Sequence, residues 1–291
     1  MATTQPNIYV QTFEANVRHL AQQEITRLRP YVMERSGPEK HNWERLGSSN
    51  AVQKTARLVA TPEADTPWDR RVSIAETWHN ADSTEQEDIG QMLVDPNSNL
   101  TMSLAYSMRR AFDDLIIKNA TGDAIDGAGA TVAFPAGQEV GDYATAINFD
   151  LVTAVQEKFM DNDISPDIPK VAVVGPTQVR KLMQLTEQTS ADYVMREALQ
   201  RLSSTGIVPN WMGFTWVVST RLLHPTAPGT DIDCLFFTKR ALGMHVAQDI
   251  TARVAEDPSY SFAWRLHTQF TAGCVRVEDE HIVRGKFADT L

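Results

Sequence analysis

Pro96-Asn97-Ser98-Asn99-Leu100-Thr101-Met102-Ser103-Leu104-Ala105-Tyr106-Ser107-Met108-Arg109-Arg110-Ala111-Phe112-Asp113-Asp114-Leu115-Ile116-Ile117-Lys118-Asn119 is the stretch on which the fold turns. Leu100, Leu104, Met108, Phe112 and Leu115 or Ile116 recur at helical spacing, with Ala105 and Ala111 beside them. One amphipathic helix is therefore expected over Pro96 to Asn119. The Asp95-Pro96 step interrupts what precedes it, and Asn119 and Gly122 supply stop signals. At 1.5 Å per residue this rod is about 35 Å long, a domain diameter in one element. Arg109-Arg110 and Asp113-Asp114 fall on its polar face, where an Arg109–Asp113 pair would add about 0.3 kcal/mol. That face reads as solvated or packed, not as a chemical site.

On the N-terminal side, Phe13, Val17, Leu20, Ala21, Ile25 and Leu28 predict a short helix that Pro30 ends. After the Ser36-Gly37-Pro38 turn the pattern becomes extended. Trp43 to Leu46 and Val52 to Val59 are imperfect alternating runs, and Thr61 to Pro67 has the chemistry of a tip. Arg70 to Trp78 reads as the returning strand. This arm, roughly Asn42 to Trp78, carries Arg45, Lys54, Arg57, Arg70 and Arg71 among its apolar residues. Two strands so charged are marginal alone. Either the hairpin folds onto its own subunit or it projects and is stabilised by a neighbour. Ser83 and Thr84, followed by Glu85, Glu87 and Asp88, suggest a further helix start.

On the C-terminal side, Gly127 to Gly141 reads as a loop with a short strand. Asp150 is placed to cap a helix over Leu151 to Met160. Pro169 to Pro176 reads as a buried strand entering a turn and a helix over Thr177 to Leu185. Thr186 to Thr205 is polar and mostly helical in pattern. Gly213 to Ser219 and Cys234 to Thr238 are strands, and Leu242 to Phe287 is nearly all strand-like.

Composition sets bounds on function. A chain of 291 residues with 42% hydrophobic and 22% charged residues can bury a sizeable core. No apolar run reaches membrane-spanning length, and Met1 to Asn7 lacks a signal-peptide core, so a soluble, intracellularly made protein is expected. The net charge of −10 argues against a nucleic-acid reader but not against a wall that encloses nucleic acid. Cys234 and Cys274 have no CxxC or His-paired spacing, so they read as small buried hydrophobes in a reducing compartment.

Chemistry-bearing motifs are scarce. GxxxxGK[ST], GxSxG and HExxH do not occur. Gly127-Ala128-Gly129 lacks the third glycine and the strand–helix setting of a dinucleotide site, so it reads as a loop. Glu76, His79 and Asp82 would need a further ligand to hold a metal. Asp279-Glu280-His281 reads as a solvated turn. An arm that cannot fold alone, joined to a rigid rod and a compact body, suits a self-assembling shell subunit better than an enzyme.

The whole chain resembles the major capsid proteins of tailed bacteriophages, the Hong Kong 97-type fold shared with herpesvirus shells. The resemblance rests on Ile8 to Phe13 leading into a short helix, on Arg70 to Ile74 closing the long hairpin, and on Asn97 to Gly122 as the spine helix. Val171 to Pro176, Trp211 to Val218 and Phe270 to Val277 extend it downstream. It implies an α+β chain with an N-terminal arm over 1–41 and an extended two-stranded loop over 42–82. A peripheral domain over 83–176 would include the spine helix 96–119. An axial domain over 177–240 and a return to peripheral strands over 241–291 would follow.

The resemblance further implies hexamers and pentamers closing into an icosahedral head around double-stranded DNA, assembled in the host bacterial cytoplasm. A portal, a separate scaffolding protein and a decoration protein are the further partners it suggests, with no cofactor and no membrane. Some relatives carry an N-terminal scaffolding segment that is not expected here. Lys54 lacks surroundings for the lysine–asparagine crosslink that some relatives form. Trp43, Arg45, Lys54, Arg57, Trp68, Arg70, Arg71, Glu76, Arg109 and Arg110 are the residues expected at the assembly interface. The alternatives are an α/β enzyme with an unrecognised site, a tail or connector protein, and an encapsulin-like compartment shell.

Overall fold

A computed structural model of the chain describes residues 22–63, 65–85, 96–188, 200–202, 204–227 and 229–290. The strands are β1 (Met33–Ser36), β2 (Lys40–Leu46), β3 (Trp68–Ile74), β4 (Glu76–Thr84), β5 (Ala124–Ile125), β6 (Thr131–Val132) and β7 (Glu139–Gly141). They continue as β8 (Lys170–Val174), β9 (Ile207–Trp211), β10 (Phe214–Val218), β11 (Asp231–Thr238), β12 (Leu242–Asp257), β13 (Ala263–Arg276) and β14 (Ile282–Ala288). The named helices are α1 (Pro96–Thr121), α2 (Phe149–Asp161) and α3 (Pro176–Gln188); residues 200–202 and 204–205 are helical too, and the rest of the helical pattern expected over 186–205 lies partly outside the described residues.

The chain divides into two compact units. One unit holds Met1–Ile25, Trp78–Arg110 and Ile250–Phe270. Within it Trp78 stacks on Phe270, their ring centroids 6.5 Å apart, and Asn80 Nδ2 donates to Ser107 Oγ at 3.1 Å. The other unit, Thr26–Thr77, Ala111–Asp249 and Thr271–Leu291, carries the main core.

That core is built on a six-stranded sheet in the order β7-β14-β11-β8-β10-β9. β8 pairs with β10 in parallel and with β11 antiparallel. Every residue of β11 is buried, its apolar run from Cys234 to Phe237 as a strand covered on both faces should be, and its Asp233 is paired with Arg284. Phe214, Trp216, Phe236 and Phe287 interlock mostly edge to face, and α2 adds Val152, Val155 and Phe159. The β9–β10 connection is the two-residue turn Met212-Gly213, with φ of +50° and +72°. Positive φ at both positions gives the twist that a tight hairpin needs.

The α1 boundaries match the sequence pattern, and Leu104, Met108, Phe112, Leu115 and Ile116 are its buried stripe. Other expectations need correction. Asn148, not Asp150, caps α2, accepting from Leu151 N at 2.8 Å. The predicted helix over Phe13 to Leu28 lies partly outside the described residues, and Gln22 to Leu28 is not helical. There the amides of Arg27 and Leu28 donate to the buried Asp113 carboxylate at 2.9 and 3.2 Å. Ser83 and Thr84 continue β4 instead of starting a helix, because the ladder with β13 outweighs local cap chemistry. The helix expected beyond them falls on 86–95, outside the described residues.

Gln178, fully buried at the start of α3, accepts from Ile147 N at 3.3 Å and donates to Ala288 O at 2.9 Å. It ties the last strand to the loop before α2. Gln178→Leu keeps the volume and leaves both backbone groups unpaired. Thermal unfolding is expected to show a loss of about 2 kcal/mol, and an unchanged melting temperature would contradict this role.

Candidate assembly interface

The arm begins as a regular ladder. β2 and β3 pair antiparallel from Lys40↔Ile74 to Leu46↔Trp68, and Gly47 N closes the ladder on Pro67 O at 2.8 Å. Cross-strand pairs Glu44–Arg70 (3.1 Å) and Arg45–Asp69 (3.4 Å) match the register. Such exposed pairs add little stability, but like charges facing each other would oppose the register. Beyond Gly47 the expected strand Val52 to Val59 does not form. The β2–β3 ladder ends at Leu46–Trp68, and among the described residues none from 48 to 63 is in a strand.

The root of the arm is enclosed. Trp43, expected at the interface, is 8% exposed and packs with Ala124, Val275 and Val277. Its indole lies over Gly243, where an added Cβ would meet ring atoms at 2.5 to 2.8 Å. Trp43 Nε1 donates to Ser73 Oγ at 3.0 Å. Arg71, also expected at the interface, is 4% exposed and donates to Asp279 Oδ2 at 3.0 Å. Within the single chain both residues are therefore internal. A buried indole and a paired buried guanidinium have no free surface to offer a neighbour.

Asp279 also takes Arg276, whose Nε donates to Oδ1 at 2.6 Å. The Arg276 side chain is fully buried and donates to Gly122 O, just past α1, and to Val132 O and Ala133 O at 3.1 and 3.0 Å. Phe134 covers the guanidinium, 5.0 Å from its ring centroid. One guanidinium therefore joins the α1 end, the β6 edge and, through Asp279, the arm. Sequence reading left Asp279 as a solvated turn residue. The turn is there, but its carboxylate points inward, and nothing in the local sequence marks that.

The remaining expected residues lie elsewhere. Lys54, Arg57, Trp68, Arg70 and Glu76 are exposed and Arg45 is half-buried. Arg109 Nη1 donates to Glu24 O and Arg110 Nη1 to Gln22 Oε1, each at 2.7 Å, so both hold the segment before β1. The arm also exposes large apolar side chains: Trp68 at 73%, Leu46 at 61%, Val52 at 71% and Leu58 at 89%. Elsewhere, Cys234 and Cys274 are free and buried, and burial pushes the Cys274 thiol up to about 12. They are packing residues, not nucleophiles. Among the described residues, no group of three or more His, Cys, Asp or Glu is placed for a metal.

A family model described as phage capsid protein matches residues 6–289. The chain belongs to the phage capsid protein family. Its fold is similar to that of solved phage capsids. The capsid of Cyanophage P-SCSP1u superposes with a TM-score of 0.71 at 16% identity, covering 97% of this chain and 94% of that one. A Mycobacterium phage Che8 structure gives 0.69 at 15% identity, covering 97% and 98%. The capsid of a native GTA particle gives 0.72 at 11%, covering 97% and 96%. A search of curated protein sequences gives no match. The chain is a structural virion shell protein of the tailed-phage, Hong Kong 97-type fold, and the enzyme, tail and compartment readings are not favoured.

In this capsid protein the arm's root is a fixed part of the subunit. Asp279→Asn keeps the shape and removes the charge shared by Arg71 and Arg276. Chemical denaturation is expected to show a loss of about 3 kcal/mol. Gly243→Ala drives a methyl into the Trp43 ring, and a loss of about 2 kcal/mol is expected. Wild-type stability in either variant would mean that the root is not held as described.

Proposed function

We propose that this capsid protein assembles as hexamers and pentamers into an icosahedral head that encloses double-stranded DNA in the host cytoplasm. Each arm lies over the adjacent subunit of the same capsomer. The observation that carries this reading is the contrast within the arm. Its root is fixed by Trp43 and Arg71, while residues 48–63, beyond the ladder, are all exposed and without strand pairing. A free monomer gains nothing from holding Leu46, Trp68, Val52 and Leu58 in water. Burying each against a neighbour contributes about 2 kcal/mol.

Arg45, Lys54, Arg57, Trp68, Arg70 and Glu76 then make the contacts, with charge setting register and partner choice more than affinity. Arg109 and Arg110 act at one remove, by ordering the segment before β1. The part over 177–240 supplies loops toward the capsomer centre, and α1, at about 39 Å, braces the region where capsomers meet. One heterologous contact repeated around a ring closes each capsomer. The net charge of −10 keeps the wall from adhering to packaged DNA. A scaffolding protein, a portal and a decoration protein are the further partners this reading admits.

Deleting Thr61 to Thr66 tests the arm's role, wherever the full chain forms shells. The variant is expected to keep the full chain's melting temperature and to give no closed particles by negative-stain electron microscopy. Normal particles would overturn the assignment.

A further inference from the structure

The geometry points to an acid-sensitive latch at the root of the arm, in which the neutral His245 ring holds the β2–β3 hairpin to β12 and its protonation lets the hairpin go. His245 lies on β12 and is fully buried. Its Nδ1 sits 2.6 Å from Ser73 Oγ on β3. Ser73 Oγ also accepts from Trp43 Nε1 at 3.0 Å and lies 3.4 Å from His41 O. The indole can only donate, so the hydroxyl proton is free to go to one acceptor. The short contact assigns it to His245 Nδ1, leaving the ring proton on Nε2. That atom is buried and has no hydrogen-bond partner.

A second proton on this ring breaks the Ser73 contact. It would turn Nδ1 from acceptor to donor and force the Ser73 hydroxyl round to the weaker His41 carbonyl. It would also place a positive charge in a dry site beside the His41 ring, whose centroid is 6.0 Å away in a stacked pose. β1 sets Arg35 opposite His245 in register, and its side chain is exposed. β2 brings His41, and β3 brings Ser73 with Arg71 nearby, already paired to Asp279. β13 brings Gly273, whose position is too close to the ring for a side chain. The turn before β2 brings the carbonyls of Pro38 and Glu39, which favour the charged ring, while the Glu39 residue is exposed.

Burial first, and His41 second, hold His245 below the ordinary imidazole value, and the two carbonyls offset only part of this. The sign follows. A histidine that titrates lower when latched than when released stabilises the latched form fully above about pH 6.5. That stabilisation weakens as pH falls below this value. The hairpin, not the sheet core, is what the ring holds. The latch would therefore free the arm while β8 and β11 stay folded. It belongs to the single chain and does not depend on whether the arm reaches a neighbour.

Hydrogen–deuterium exchange on the full chain between about pH 7.5 and about pH 5 tests it, with rates corrected for intrinsic exchange. In the wild type, amides of 40–46 and 68–74 are expected to lose protection about tenfold per pKa unit separating the two states. β8 and β11 should be unchanged. His245→Asn retains a partner for Ser73 and cannot titrate, so its hairpin should be insensitive to pH. His41→Asn removes the neighbouring ring, brings the latched and released titrations closer together and should shrink the acid-induced loss of protection. Hairpin protection that is constant with pH in the wild type, or an undiminished acid response in His41→Asn, would overturn the latch. So would an equal acid response in folded His245→Asn.

Discussion

The carboxylate of Asp279, held between two buried guanidiniums, is the interaction on which the rest of the structure depends. Without Asp279, Arg276 would be a buried charge with carbonyl partners but no counter-ion, and Arg71 would be a buried charge at the foot of the arm without the carboxylate it donates to. Asp279 neutralises both guanidiniums, and through Arg276 the three residues reach the end of α1 and the β6 edge. Buried ion networks of this kind are weak contributors to net stability, since desolvation offsets most of the attraction. Their value is specificity. A hydrophobic replacement could fill the space, but it would not fix the angle at which the hairpin leaves the body.

That angle matters in a shell subunit because the arm is a lever. A small rotation at Trp43 or Arg71 becomes a displacement of many ångströms at a tip some twenty residues further along an extended chain. The root therefore has native-core packing, with Trp43 pressed on Gly243, while the tip has none. On the proposed function, fixing one end and leaving the other to order against a neighbour would confine the ordering entropy to the moment of assembly. The same division explains the charges. Glu44–Arg70 and Arg45–Asp69 sit in the regular ladder and hold its register, whereas Lys54 and Arg57 lie beyond it and carry no such internal duty.

Much of this fold was legible from sequence where one periodicity dominated. The α1 stripe, the apolar runs of β8, β10 and β11, and the alternation through β12 to β14 gave their elements directly, because burial and local pattern agreed. Legibility failed where a distant partner decided the outcome. Ser83 and Thr84 have cap chemistry, yet the ladder takes them as strand. Arg27 and Leu28 give their amides to Asp113, over eighty positions away in sequence, in place of a helical turn. The arm was identified, but its basic and aromatic residues could not be sorted into inward and outward ones. Trp43 and Trp68 look alike in sequence, and only the register places one over Gly243 and the other in water. Asp279 and His245 were missed for the same reason, since each acts through residues remote in the chain.

An electron cryo-microscopy map of particles assembled from this chain, at side-chain resolution, would test the central claim most directly. The expected map keeps Arg71, Asp279 and Arg276 joined at the root and places residues 48–67 on a neighbouring copy, with Trp68 and Leu46 buried there. A map in which those residues fold back on their own subunit, or in which the root has come apart in the closed shell, would contradict it.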